Sequence, residues 1–504
     1  MNTDPRDSLV PDATGAEFGA PEPLEPDPIE PAPPTARVAD EPAPRRRMQR
    51  AWGRSAAGLV VSGAAVLAVV AGALAPWPTL AGSAASLEVE PAPSEAVLAC
   101  EGPVLALGRD VTAATSIGIA APAAVTAGRA SGGEPSAQGL AQPDVAGEEA
   151  PSRVVQAPEG RTLEPIAAGS SASVDEEDIA GFAASACRPP QLESWIVGGE
   201  TSVGEADILL ISNPGATSAT VQLTVYGATD PVVPPGFEAL PIPAGTQRAI
   251  PLAGIAGGEA APVVRVTATG APVRAALQSS LVRTLDPVGL DRQGAVTADA
   301  RQRFPGVVVT EAGNEAEGAS TALVRVMSRG AASAVITAIP AGETEAAVEP
   351  VSVALEPDRP VAVDLGELPE GRYEVTVAGD GPLVSAVWQT TGFGPGTDFA
   401  WQTPSPELTA ATLVAVPAGP GARLHVSSDE GATVVVTDRS GAARELAVPA
   451  GSSGSLPLDD GEVYTVDPGG SPVHAAVGYA GGAALAFIPV WPDPASPAPV
   501  TVYP

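Results

Sequence analysis

The chain has 504 residues with 55 Gly, 56 Pro and only 4% aromatic side chains, and its 59 acidic residues against 26 basic ones, all Arg, give a formal charge of −33. A field of that sign repels phosphate backbones and argues against nucleic-acid binding by charge neutralisation. So much Gly and Pro argues against long helices and for turns, linkers and short strands; the length allows roughly three or four domains at about 100–200 residues each.

Residues 1–44 form an acidic, Pro-rich tail (PEPLEPDPIEPAPP). Its few apolar residues cannot offset the entropy of ordering, so it is expected to be disordered. In the Arg-rich segment 45–54 the charge reverses: Arg45, Arg46, Arg47, Arg50 and Arg54 precede SAAGLVVSGAAVLAVVAGALA, 21 uncharged residues from Ser55 to Ala75. About 20 apolar residues cross a hydrocarbon core of roughly 30 Å, so 55–77 is expected to be a transmembrane helix, with Trp52 and Trp77 at the two interfaces. Positive residues stay on the cytoplasmic side. The expectation is therefore a single-pass cell-membrane protein with a cytoplasmic N-terminus, a linker over 78–96 and the bulk of the chain extracytoplasmic. Pro76 disfavours signal cleavage after Ala73-Leu74-Ala75; a cut near AGSAAS (81–86) is the rival reading.

Cys100 and Cys187 both follow this segment. An isolated pair outside the cytoplasm most simply forms one disulfide, and closing so long a loop stabilises by roughly 4–5 kcal/mol in the chain-entropy picture. They fall in a first β-domain expected over 97–300, where ASGGEPSAQGLAQPDVAGEEAPS reads as a flexible loop.

One pattern then occurs three times: APVRAALQSS from Ala271, GPLVSAVWQT from Gly381 and SPVHAAVGYA from Ser471. The segments before each copy also match in order and spacing. Val221, Leu223 and Val225 alternate with Gln222 and Thr224, and Tyr373, Val375 and Val377 with Glu374 and Thr376. Period two bounded by Gly, Pro, Asn and Asp marks half-buried strands and tight turns. The expected fold is mainly β: tandem Ig-like β-sandwich repeats, the second over 301–405 and the third, with a C-terminal tail, over 406–504. The motif itself reads as a late strand, paired as a hairpin with the strand before it, its Pro placed where no ladder donor is needed. A propeller is the competing architecture, but its blades of about 40–50 residues are too short for this spacing.

CEGPVLAL, SWIVGGETSVGEADILLISNPGATSATVQLTVYG and TDFAWQTPSPEL (397–408) together resemble an uncharacterised actinobacterial family of membrane-anchored envelope proteins, a family built on a domain of unknown function. The resemblance implies an envelope location and supplies no catalytic residue to carry over.

No catalytic, metal or cofactor residues are expected. His425 and His474 are not in metal-ligand spacing and read as surface or strand residues, and no H-E-x-x-H, G-x-S-x-G or phosphate-binding Gly pattern occurs. Asp459-Asp460-Gly461 lacks the regular calcium-loop ladder and reads as a solvated turn. Trp388, Phe393, Phe399 and Trp401, on the Gly-rich stretch 387–404, are the candidate binding surface; the favoured reading is that these rings, with Trp195, fill the core or the junction of the second and third sandwiches, because large rings mostly go where area can be buried. The expected function is a non-catalytic scaffold or binding protein of the cell envelope, its partner an envelope protein or cell-wall glycan. The alternative is a wall carbohydrate-binding accessory protein or a glycan hydrolase with a carboxylate pair, and transmembrane signalling through the tail is a third reading.

Overall fold

Alternating segments bounded by turn residues become strands throughout the computed structural model, which describes residues 87–89, 92–109, 116–310, 320–493 and 500–502. The tail, the Arg-rich segment and the 55–77 stretch, with Arg45, Arg46, Arg47, Arg50, Trp52, Arg54 and Trp77, lie outside the described residues. Among the described residues the only helix is Ala253–Ala256, and no helix is long and apolar enough to cross a membrane. Residues 84–504 form one compact unit.

The three motif copies belong to three eight-stranded repeats wired alike. In the first, one sheet orders Glu193–Ile196, Val263–Thr269, Ala219–Tyr226 and Leu240–Ile242; the other orders Thr246–Pro251, Ile208–Asn213, Arg274–Arg283 and Asp286–Gly294. Counted along the chain, the sheets are 1-6-3-4 and 5-2-7-8. The repeat that starts at Thr412–Val416 and ends at Ala486–Pro489 has the same two orders. So does the middle repeat, from Asp299–Val309 to Phe399–Gln402, except that its sixth and seventh strands are one continuous 20-residue strand, Gly371–Thr390. The first half of that strand pairs with Ser333–Pro340 and the second with Ala322–Ser328. It turns from one sheet to the other near Gly379, where an added Cβ would lie 2.7 Å from the Leu383 side chain and 2.8 Å from the Gly381 carbonyl.

This wiring corrects the hairpin expected for the motif. Arg274–Arg283 pairs with Ile208–Asn213 and Asp286–Gly294, while the preceding Val263–Thr269 lies in the other sheet. The Gly-Ala-Pro, Gly-Asp-Gly-Pro and Gly-Gly-Ser-Pro corners send the chain across the core, and the prolines enter the new sheet where no donor is required. In the last two repeats a serine ending the second strand anchors the corner: Ser328 Oγ donates to the Pro382 carbonyl at 2.7 Å and Ser428 Oγ to the Pro472 carbonyl at 3.0 Å.

Each pair of sheets closes over one apolar cluster. The seventh strands supply Val273, Ala275 and Leu277 to the first, Leu383 and Val387 to the second, and Val473, Ala475 and Val477 to the third. Their alternate residues meet a neighbouring part of the molecule. Gln278 exchanges hydrogen bonds with the Leu105 backbone at 2.9 and 2.7 Å, and Val384 and Ala386 join a cluster shared with the first repeat. That second contact explains why the middle copy is apolar on its other face, where the first copy carries Arg274 and Gln278 and the last His474.

Residues 92–187 form short sheets packed on the repeats. Ala96–Ala99 and Ala180–Ala186 bring Cys100 and Cys187 together as a disulfide with Cα atoms 4.3 Å apart, inside a cluster with Leu98, Val154, Ile166 and Ala168. The stretch expected as a flexible loop instead carries an exposed edge strand, Ser136–Gly139, paired with Ser152–Gln156. Small residues in Ile166–Asp175 let the last repeat approach: a Cβ on Gly169 would meet Pro417 at 2.7 Å, and Ser171 Oγ donates to the Ala418 carbonyl at 2.6 Å.

Candidate functional site at the seams between repeats

The 387–404 stretch lies at a seam. Phe399 and Trp401 are 2% and 5% exposed, in a cluster with Trp195, Val197, Tyr226 and Val296 of the first repeat and Met327, Val384 and Ala386 of the second. Trp388 is half-buried against the same cluster, its ring 6.3 Å from Phe399. Half-buried Phe393 lies 4.7 Å under the Arg283 guanidinium. The four rings therefore do not form one exposed platform. They fill a junction, and it is the junction of the first and second repeats rather than of the second and third. Burying about 150–250 Å² per ring stabilises by about 4–6 kcal/mol, which favours the seam over solvent. Ala400, on the opposite face of the same short strand, packs with Leu485 and Phe487 of the third repeat. Phe399–Gln402 is thus a wedge with both faces buried.

Asp398, just before that wedge, was not singled out in the sequence. Its Oδ2 accepts the N–H groups of Phe182 at 2.9 Å and Leu485 at 3.2 Å, and its Oδ1 those of Leu290 and Phe399, both at 3.0 Å. These donors come from the N-terminal region and from all three repeats. Burial pushes the carboxyl up to about 8 against the pull of the four N–H groups; all four neighbours are donors and take both lone-pair sites of each oxygen, so a carboxyl proton would find no acceptor, and on this geometry we assign the ionised form.

Arg325 of the second repeat locks the first seam from the other side. Fully buried, it donates through Nη1 to the carbonyls of Gly199 at 2.6 Å, Val197 at 3.2 Å and Pro262 at 3.3 Å, with its guanidinium 4.6 Å over the Trp401 ring. Glu200 lies 3.7 Å from its Nη2, and Asp207 and Glu205 are close enough to favour its charge as well. Burial pushes Glu205 to about 9 and Asp207 to about 7, and pushes Asp291 to about 7. Asp207 Oδ2 accepts the Glu200 N–H at 2.8 Å and Asp291 Oδ2 the Trp401 N–H at 2.7 Å, so both brace backbone. A further buried pair, Arg274 to Glu101 at 2.7 Å, joins the N-terminal region to the first repeat.

A cleft of about 390 Å³ opens where the two linkers between repeats run side by side. Its walls come from 297–303, from 404–407 and from Asp429, His474 and Trp491 of the last repeat. Arg303 is buried between Glu374, at 3.3 Å, and Asp429, which Arg301 also reaches at 3.3 Å. Burial pushes Glu374 to about 7, against the pull of Arg303. His474 Nδ1 lies 2.7 Å from the Ser405 carbonyl, which assigns the proton to Nδ1, and burial lowers its pKa. Sequence reading passed over Trp491, whose setting VWPDP was the available sign. His425 is a core residue, not a surface one: it is 3% exposed, burial pushes it down to about 3, and it lies beneath Gly306. Asp459 and Asp460 brace a turn, through Tyr464 Oη donated to by the Asp459 N–H at 3.0 Å and the Gly419 N–H donating to Asp460 at 2.9 Å. Among the described residues no group of three or more His, Cys, Asp or Glu is placed to hold a metal ion.

The fold and its seams define a mainly β protein made of repeated two-sheet units fused through buried polar ties. Residues 140–459, well over half of the chain, match a family of unknown function, DUF5719, and the chain belongs to that family. No curated protein matches it. Among solved structures, the crystal structure of Thermotoga maritima 1070 is 17% identical over 21% of this chain and 93% of its own, with a TM-score of 0.19, a likeness too small to transfer a fold or a function.

Proposed function

We propose that this chain is a non-catalytic extracytoplasmic scaffold of the cell envelope, anchored by 55–77 as an uncleaved single span with the N-terminus in the cytoplasm. We read its repeats as tandem β-sandwiches of the immunoglobulin-like class in which the first and last strands have exchanged sheets. The observation that carries the reading is Asp398. One carboxylate bonded to backbone from four parts of the molecule makes the repeats a single rigid body, and a rigid body presents its surfaces at fixed spacing, as a scaffold requires. The buried disulfide suits an oxidising compartment. The buried acids Asp207 and Asp291 are engaged with backbone, which supports a structural use for them over acid–base work.

The test is co-sedimentation of the full-length chain, in detergent, with purified protein-free cell wall, alongside cross-linking in intact cells. A defined cross-linked envelope protein, with the chain left in the supernatant, supports a protein scaffold. Pelleting that soluble wall glycan competes away supports the glycan-binding form. Neither result, or a chain found wholly in the cytosolic fraction, overturns the proposal.

A further inference from the structure

We propose that the cleft at the linkers is a binding site for a neutral oligosaccharide, with the exposed side chains of Asp299, Arg301 and Glu407 as its hydrogen-bonding groups and Trp491 as its apolar flank. At about 390 Å³ it falls within the range of small-ligand sites.

The chemistry of the walls selects the ligand class. Carboxylates accept only, guanidinium groups donate only, and the cleft offers both within one opening. Glu407 is an exposed acceptor, Asp299 accepts the Arg301 backbone N–H through Oδ1 at 3.2 Å and keeps Oδ2, and Arg301, more than half exposed, reaches Asp429 at 3.3 Å and has further N–H groups to donate. A sugar hydroxyl donates and accepts at once, so adjacent hydroxyls on one ring satisfy a carboxylate and a guanidinium together. With Nδ1 of His474 donated to the Ser405 carbonyl, its neutral ring keeps Nε2 as one more acceptor. Arg301 and Arg303 offset most of the charge of Asp299, Glu407 and Asp429, which leaves little to attract a cation, while the acidic remainder and the chain's −33 repel anions. One face of the Trp491 ring carries the Arg188 guanidinium, 3.1 Å from its centroid, so the rest of the ring, with Pro404 and Pro406, supplies the apolar surface that the C–H face of a pyranose needs.

A second observation is independent of the wall's charges. Ser405 Oγ, Arg303 Nε and Trp491 Nε1 belong to lining residues, are buried, and have no hydrogen-bond partner among the described residues. Ser405 and Arg303 are themselves only 3% and 5% exposed. Arg303 lies on the 297–303 wall, Ser405 on the 404–407 wall and Trp491 on the last repeat, so each of the three walls carries one polar atom that the described residues leave without a partner.

The site also has a mechanical meaning. Its walls come from Thr297 and the first strand of the middle repeat, from the 404–407 linker and from the last repeat, so a bound ligand would bridge the middle and last repeats.

The experiment is calorimetric titration of the full-length chain, in a detergent that contains no sugar, with tri-N-acetylchitotriose, maltotriose and mannotriose as probes. The expected result is saturable binding of at least one triose with a Kd below about 1 mM. Glu407→Gln and Arg301→Ala should each weaken it at least about tenfold, roughly the loss of one well-placed hydrogen bond to a charged group. Should Arg301→Ala lower the melting temperature, Glu407→Gln alone decides, because that side chain is exposed. Absence of saturation by all three trioses up to about 10 mM overturns the proposal, as does binding that both variants leave unchanged. Displacement of the triose by oligolysine also overturns it and makes the cleft a cation site. If wild type and variants pellet equally with cell wall, the scaffold reading stands and this one falls.

Discussion

Replacing Asp398 by Asn probes the tie on which the rigid-body reading rests. The carboxylate accepts two N–H groups on each oxygen, at 2.9–3.2 Å. Asn keeps one oxygen and its two bonds, but turns an NH₂ group toward the other two donors. Two buried backbone N–H groups then face a donor instead of an acceptor. Each unsatisfied buried group costs about 1–3 kcal/mol, so the variant should lose about 2–6 kcal/mol, a large fraction of the roughly 5–15 kcal/mol typical of a folded domain. Urea unfolding of wild type and variant, followed by tryptophan fluorescence and by circular dichroism, measures the shift in midpoint. Asp398→Ala, which removes both acceptor oxygens and all four bonds, should be worse than Asn. A loss below about 1 kcal/mol for Asn would refute the reasoning: it would mean that the carboxyl is protonated in the folded protein and that the amide imitates it.

Arg325→Ala leaves the carbonyls of Val197, Gly199 and Pro262 without their donor and strips the cation from Trp401; a loss of about 2–4 kcal/mol is expected, and limited proteolysis should cut faster between the first two repeats. Non-reducing mass spectrometry should recover the Cys100–Cys187 link, and reduction should lower stability by about 2–5 kcal/mol; two thiols that alkylate readily in the native protein would contradict it. Acid should act through His425. Burial holds its folded pKa at about 3, against about 6.5 unfolded, so between those values the unfolded chain carries the extra proton and stability falls as pH drops. The stability difference between wild type and His425→Gln should therefore shift by about 2–3 kcal/mol from pH 7 to pH 4.5. A difference that does not change with pH would rule this out.

Much of the fold was legible because its cause is local. Successive strand residues point to opposite faces, so Val221, Leu223 and Val225 announce an inward face wherever the strand ends up. The repeat was legible for the same reason, since three copies of one alternation need one answer. The crossing of the motif strand to the other sheet was not. A Gly corner followed by Pro is compatible with a hairpin and with a crossover alike, and the choice rests on which strands are already paired when the chain arrives.

The candidate site was harder to read. Arg325 in LVRVMS looks like a solvent-facing residue between buried ones, yet it is fully buried because the first repeat covers that face. Asp398 in TDFAWQ looks like an ordinary turn residue, and its donors lie as far away in sequence as Phe182. Trp491 becomes part of a cleft only where it meets the start of the middle repeat at 297–303 and the linker at 404–407.

By itself, then, the sequence determined the strands of the repeats, their inward faces, the threefold repeat and the single cysteine pair. Only the tertiary structure decided what covers the second face of each strand. That outcome depends on contacts between segments far apart in the chain, whose partners no local pattern can name.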